Sequence, residues 1–212
     1  MEMAQGSILV VEDMPQIRGL LEVTLRFEGY TVDSASDGRE ALEKIRQTRP
    51  ALVITDILMP RMDGYALVYQ LRKDPQTRDI PVIFLSATYV TPEDKDFALS
   101  LGAVKFLEKP IDTPDFLLTI GETLAEQNGS SPRPMDDKLF FMSYRRRLEN
   151  KLRQKNQQIA RTERLLKTLP PAQTPTFQGL LEEARAHRDG IAEELNDVMH
   201  RLTTMGEGAT AG

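Results

Sequence analysis

Val53-Ile54-Thr55-Asp56-Ile57-Leu58-Met59-Pro60-Arg61-Met62-Asp63-Gly64 is the stretch whose reading decides the fold. The apolar run Leu52 to Ile54 reads as a strand and delivers one carboxylate, Asp56, to the point where strand gives way to loop. Pro60 and Gly64 punctuate that loop before the next helical pattern. In an open parallel sheet, ligands sit outside the carboxyl ends of the strands, so Asp56 stands where a reacting group is wanted. An Asp in this place is also a common loop cap. How the other strands end decides between the two.

Upstream, Ser7-Ile8-Leu9-Val10-Val11 is a continuous apolar run, expected for a strand covered on both faces, and Glu12-Asp13 follow it directly. Ile17, Leu20, Leu21, Leu25 and Phe27 fall at helical spacing, with Pro15 tolerated in the first turn. A short strand over Thr31 to Ala35 precedes a helix that starts near Asp37-Gly38 and stops at Pro50. Downstream, Ala66, Leu67 and Leu71 mark a third helix, and Pro81-Val82-Ile83-Phe84-Leu85 is a buried strand ending at Ser86-Ala87-Thr88. A weaker helix runs from Pro92 to Leu101 and stops at Gly102. Val104-Lys105-Phe106-Leu107 ends in Glu108-Lys109-Pro110, and a last helix holds Phe116, Leu117, Ile120 and Leu124. Five βα units over residues 7–126 predict a doubly wound α/β domain built on a five-stranded parallel sheet.

The strand ends now speak together. The first ends in Glu12-Asp13, the third in Asp56, the fourth in Ser86 and the fifth in Lys109. One sheet edge gathers three carboxylates, a hydroxyl and an ammonium. Carboxylates so close repel unless a cation sits among them. Oxygen ligands without His or Cys point to Mg²⁺.

Val10-Val11-Glu12-Asp13, Asp56 through Gly64, Leu85-Ser86-Ala87 and Lys109-Pro110 together resemble the receiver domain of two-component response regulators, with its flavodoxin-like fold, over residues 7–126. The resemblance implies that Asp56 is the phosphoacceptor, taking a phosphoryl group from a sensor histidine kinase. It implies Mg²⁺ held by Asp13, Asp56 and the Leu58 carbonyl, with Glu12 acting mainly through water. Lys109 pairs with a phosphoryl oxygen, and Ser86 donates its hydroxyl to another. Ser86 and Phe106 form the switch, Phe106 standing where the family often has Tyr, so that signalling works through packing alone. The Lys109–Pro110 peptide is expected to be cis. Such a domain catalyses only its own phosphorylation and dephosphorylation, and is not an enzyme in the wider sense.

At 212 residues there is room for this domain and a smaller one. The absence of cysteine excludes disulfides and thiolate metal sites. No apolar run approaches the roughly 20 residues needed to span a bilayer. No secretory signal is visible, so the expected location is cytoplasmic, with no membrane partner. Residues 1–125 carry 13 Lys+Arg and 20 Asp+Glu, net −7; residues 126–212 carry 14 and 12, net +2. That asymmetry suggests two units with different jobs.

The expected boundaries are 1–126 for the receiver, 127–135 for a Gly/Ser/Pro-rich linker, 136–205 for an all-α antiparallel hairpin or coiled coil, and 206–212 for a disordered tail. Prolines 170, 171 and 175 rule out one continuous helix. Phe177, Leu181, Ala184, Arg188, Ile191, Leu195, Val198, Leu202 and Met205 follow coiled-coil spacing, with Arg188 the one polar layer. Phe141, Leu148, Leu152, Ile159, Leu166 and Leu169 form a similar seam, interrupted by Arg145, Lys155 and Thr162. Residues 136–169 hold 10 basic and 4 acidic residues, net +6; residues 177–205 hold 3 and 6, net −3. Opposite charge and a short turn favour an antiparallel hairpin. A homodimer through these helices, or a protein target, is expected to cover their remaining apolar edge.

Nucleic acid is not the expected partner, since no DNA-reading motif accompanies the basic run from Tyr144 to Lys155. A transcription regulator using helix 136–169 is nonetheless one alternative. The other is a phosphorelay intermediate using His187 or His200, the only histidines, which read more simply as solvated flank positions.

Overall fold

The computed structural model describes residues 7–86, 92–126, 134–168, 170 and 174–208. The N-terminal hexapeptide, Ala87-Thr88, most of the linker, Leu169 and the last four residues lie outside the described residues. The chain divides into two compact units, Met1–Met135 and Asp136–Gly212.

In the first unit five strands alternate with five helices: β1 (Ile8–Val11), α1 (Pro15–Phe27), β2 (Val32–Ala35), α2 (Gly38–Gln47), β3 (Leu52–Asp56), α3 (Gly64–Lys73), β4 (Val82–Ser86), α4 (Pro92–Ser100), β5 (Lys105–Glu108) and α5 (Thr113–Ala125). All four strand pairings are parallel and the order is β2-β1-β3-β4-β5. The order reverses at β1/β3, the topological switch point where such sheets bind ligands. β1, β3 and β4 are buried at every position. Ile8, Val10, Ile54, Ile83 and Leu85 pack with Leu21 and Leu25 of α1 and with Phe116 and Ile120 of α5. Leu9, Val11, Val53 and Phe84, alternate in the strands, are buried as well, so helices cover both faces. Each such side chain contributes about 1.5–3 kcal/mol by leaving water.

Helix starts are capped by short acids. Asp37 accepts from the backbone N–H groups of Arg39 and Glu40 at α2, and Asp63 from Ala66 at α3. One expectation for α1 fails. Leu20 and Phe27 belong to its apolar spacing, yet they are 67% and 87% exposed, because the buried stripe runs through Leu21 and Leu25.

The second unit is two helices, α6 (Asp137–Leu166) and α7 (Thr174–Gly208), packed on each other. Tyr144 Oη donates to Glu194 at 2.6 Å, and Arg185 pairs with Glu163 at 2.7 Å. Positions rise on α6 as they fall on α7, which makes the hairpin antiparallel. Leu181, Ala184, Ile191 and Val198 are buried on α7; Phe140, Phe141, Tyr144, Leu148 and Ile159 are buried on α6. Phe140 and Tyr144 were not part of the expected seam. Tyr144 can sit there because Glu194 satisfies its hydroxyl, and its ring stacks on Phe140. α7 begins at Thr174, three residues before the expected start, with Pro175 in its first turn where a missing N–H costs nothing.

Candidate functional site

Parallel strands in register carry their ends to one edge. Asp56 closes β3 opposite Leu85, and Ser86 closes β4 opposite Glu108. Glu12 follows β1, its backbone N–H donating to the Ala35 carbonyl at 3.0 Å. Lys109 follows β5 and donates its N–H to the Ser86 carbonyl at 2.6 Å. The Lys109–Pro110 peptide is cis.

Glu12, Asp13 and Asp56 each offer a carboxylate oxygen, and these oxygens lie within 4.8 Å of one another. Lys109 Nζ stands 2.6 Å from Glu12 Oε2 and 2.7 Å from Asp56 Oδ1, bridging two of the three. Leu58 N–H donates to Asp56 Oδ2 at 3.0 Å. Ser86 is buried beside this group, Leu58 is exposed at its rim, and Phe106 is half-buried on β5 with Phe84 as its register partner. The sequence-predicted residues Glu12, Asp13, Asp56 and Lys109 thus meet directly, whereas Phe106 stands three residues back along its strand.

Burial raises the Glu12 carboxyl above its ordinary value despite the hydrogen bond from Lys109. Asp56 is raised for the same reason, its attraction to Lys109 falling short of the desolvation. Burial opposes the Lys109 ammonium too, but Asp56 and Glu12 outweigh it and hold its pKa above the usual lysine value. One ammonium serves two buried carboxylates and leaves a third beside them. Such a set favours added positive charge.

Oxygens ligating Mg²⁺ at about 2.0–2.1 Å sit roughly 3–4 Å apart, so the three carboxylates need only a small closure to hold it. The donor set is all hard oxygen, as that ion prefers.

Two supporting residues, Arg18 and Arg61, were missed, as was the close approach that requires glycine at Gly64. Arg18 Nη1 donates to the Glu12 carbonyl at 2.6 Å and fixes the backbone that carries two of the acids. Arg61, in the left-handed region at φ 63°, pairs with buried Asp37 through Nε and Nη2. Gly64 lies so close that an added Cβ would stand 2.3 Å from the Asp56 carbonyl oxygen. Only Asp37-Gly38 and Asp63-Gly64, each an acid before a helix, carried a readable signal.

The family profile described as "Response regulator receiver domain" matches residues 8–120. Response regulator Rre1 of Synechocystis sp. is 36% identical over 126 residues, 59% of this chain and 54% of that protein. "Probable transcriptional regulator ycf27" of Cyanophora paradoxa is 42% identical over 110 residues, 52% of this chain and 44% of that protein. The chain therefore spans about half the length of these curated relatives. Among solved structures, Vibrio cholerae chemotaxis protein CheY4 is 35% identical with a TM-score of 0.54, covering 57% of this chain and 99% of that one. The receiver domain of a Syntrophus aciditrophicus signal transduction histidine kinase is 39% identical with a TM-score of 0.53, covering 57% and 90%. No family profile matches the C-terminal helices. With its profile match spanning more than half of the chain, this protein belongs to the family of response regulator receiver domains, signalling modules rather than enzymes.

Proposed function

We propose that the protein is a response regulator whose Asp56 accepts a phosphoryl group from a sensor histidine kinase, and that its helical hairpin passes the signal to protein. The observation that carries this reading is the convergence of Glu12, Asp13 and Asp56, with Lys109 Nζ bridging two of them. Asp56 is the nucleophile. Its carboxylate oxygen bonds to phosphorus as the bond from phosphorus to the kinase histidine nitrogen breaks, leaving an acyl phosphate on Asp56 and a neutral imidazole. Asp13, Asp56 and the Leu58 carbonyl would hold Mg²⁺, with Glu12 acting mainly through water; bound there it would supply charge neutralisation for the transferring phosphoryl group. Lys109 then leaves Asp56 to pair with a phosphoryl oxygen, still anchored by Glu12. Ser86 donates to another oxygen, and Phe106 responds by repacking.

The reading places the protein in the cytoplasm; no helix among the described residues is long and apolar enough to cross a membrane. The boundaries 1–126, 127–135 and 136–205 remain the proposed domain plan, with α7 running on to Gly208 into the segment expected as tail, 206–212. The hairpin acts in dimerisation or in partner binding.

A second reading, a transcription regulator using the basic helix, has one observation in its favour: a relative named as a transcriptional regulator. That likeness lies in the receiver half, so the first reading stands ahead.

The experiment is labelling with a small phosphodonor and Mg²⁺, followed by mapping. The label should sit on Asp56, as a base-labile acyl phosphate, and vanish in Asp56→Asn. Label on His187 or His200 would overturn the nucleophile. DNA retention that falls steeply with salt would favour the second reading.

A further inference from the structure

The loop between Asp56 and Gly64 is pinned at its neck and again at its far limb. At the neck, Gly64 N–H donates to the Ile57 carbonyl at 3.0 Å, and Leu58 N–H donates to Asp56 Oδ2 at 3.0 Å. Lys109 Nζ stands 2.7 Å from Asp56 Oδ1. The carboxylate thus has a donor on each oxygen, which fixes the plane of the group. The Leu58 donor belongs to the loop, so it holds Oδ2 as steadily as the loop itself is held.

The far limb is fastened to the start of α2. Buried Asp37 divides its oxygens between two tasks. Oδ1 accepts from the N–H groups of Arg39 and Glu40 at 2.7 and 3.1 Å and caps the helix. Oδ2 accepts from Arg61 Nε at 2.6 Å and from Arg61 Nη2, which also donates to Ser36 Oγ at 3.3 Å. One residue on, the Met62 carbonyl accepts from Gly38 N–H at 3.0 Å, and a Cβ on Gly38 would stand 2.6 Å from Met62 Cγ. Arg61 is a non-glycine residue at φ 63°, a conformation glycine adopts freely. The helix cap is complete without Arg61, and the turn is satisfied without any side chain. What the guanidinium adds is a tie between a loop and a helix start 24 positions apart. The link from Arg61 back to Leu58 is short and stiff: Pro60 has a fixed φ, and its carbonyl accepts from Met62 N–H at 2.7 Å.

Resting on the reading of Asp56 as the phosphoacceptor, we propose that Asp37 and Arg61 are a pair of positioning residues. Latched to each other, they hold the loop so that Leu58 N–H stays on Asp56 Oδ2 and the nucleophile keeps its orientation. They act through Leu58 and not on phosphorus, as outer partners orient the groups that do the chemistry.

The full-length parent is compared with Arg61→Gly, Asp37→Asn and the double variant. Arg61→Gly keeps the left-handed backbone and cuts the latch. Asp37→Asn keeps a good helix cap and removes the charge that holds the guanidinium. Arg49→Met is the control, since it breaks a surface pair with Asp79 at 2.9 Å that joins the connections after α2 and α3. In metal-free protein, hydrogen exchange at the Leu58 amide should quicken about tenfold in each latch variant, while β3 keeps its protection. The double variant should go no further than either single one, because the pair acts as a unit. With a small phosphodonor and Mg²⁺, the maximal rate of Asp56 labelling should fall about tenfold at an unchanged half-saturating donor concentration. Arg49→Met should match the parent in both measurements. Parent-like exchange at Leu58 in Arg61→Gly overturns the inference, as does faster exchange with labelling untouched. Slowed labelling in Asp37→Asn alone overturns it too, by placing the effect in the cap of α2. A parent that takes no label sinks the phosphoacceptor reading, while exchange at Leu58 still decides the latch.

Discussion

Lys109 Nζ lies 2.6 Å from Glu12 Oε2, although 97 positions separate the two residues. The same nitrogen reaches Asp56, so one ammonium is the resident cation of a buried acidic group. Lys109→Met removes it and leaves Glu12 and Asp56 facing each other and Asp13. We expect a loss of about 1–3 kcal/mol in metal-free protein, the usual cost of orphaning buried polar groups. Mg²⁺ should recover more stability in the variant than in the parent, because it replaces a charge the parent already has. Thermal melts with and without Mg²⁺ check this; equal metal shifts in the two proteins would sink it.

Two glycines separate backbone crowding from helix propensity. A Cβ on Gly64 would meet the Asp56 carbonyl oxygen at 2.3 Å and the Phe84 ring at 3.1 Å, so the loop after Asp56 must move. Gly64→Ala should cost about 3 kcal/mol and slow Asp56 labelling. Gly19 sits inside α1 with nothing within 4 Å of its Cβ position. Gly19→Ala should stabilise by about 0.5–1 kcal/mol and leave labelling unchanged. Urea melts of both variants decide the signs.

These two outcomes bear on what a sequence can disclose. The acids at Glu12-Asp13 and Asp56, with Ser86 and Lys109, were legible because a parallel sheet converts chain order into one shared edge. Arg18 and Arg61 were not, since long side chains that reach back to a carbonyl or a buried acid leave no periodic trace. Leu20 and Phe27 misled because three-four spacing marks a stripe without saying how wide the covered part is. On α7 the seam at Leu181, Ala184, Ile191 and Val198 was readable because every position of the spacing but Arg188 is apolar. On α6 Tyr144 took the place next to Arg145, a choice that depends on Glu194, fifty positions away.

The Asp37–Arg61 pair gives a pH dependence with a definite sign. Burial alone would raise the Asp37 carboxyl, but the Arg61 guanidinium and the N–H groups of α2 outweigh it and hold the pKa below the ordinary 3.8. A carboxylate depressed on folding adds stability above its unfolded pKa, and that stability is lost as pH falls through the folded one. Asp37→Asn should therefore cost about 1 kcal/mol at neutral pH. The gap to the parent should narrow as the medium is taken below pH 4. Denaturant melts at pH 7 and pH 3 measure both; a constant gap would show that the charge is irrelevant.

Arg72 is 2% exposed and donates to three carbonyls, of Arg78 at 3.0 Å, Ile80 at 2.9 Å and Gly102 at 2.9 Å. Desolvation lowers its pKa to about 10, which still leaves it charged at neutral pH. It ties the end of α3 to the approach to β4 and to the turn after α4. Arg72→Met keeps much of the apolar stem but orphans these acceptors, so a loss of about 2–4 kcal/mol is expected. Hydrogen exchange should quicken at residues 78–82 and 102–104 together. Faster exchange at only one of these segments would mean that Arg72 does not link them.

Val198 is 3% exposed in the seam of α7. Val198→Asp puts a carboxylate into that apolar seam, and the hairpin must open or the acid must protonate; either route costs several kcal/mol. The seam around Val198 holds one end of the hairpin and the cluster of Ile159, Leu181 and Ala184 the other, so helicity should fall markedly. The receiver has its own core around Ile54, Ile83 and Phe116, and it should keep both its melting transition and its Asp56 labelling. Circular dichroism gives the first quantity and phosphodonor labelling the second. If helicity and labelling collapse together, the two units fold as one body, and signal passes through shared packing rather than through a separable module.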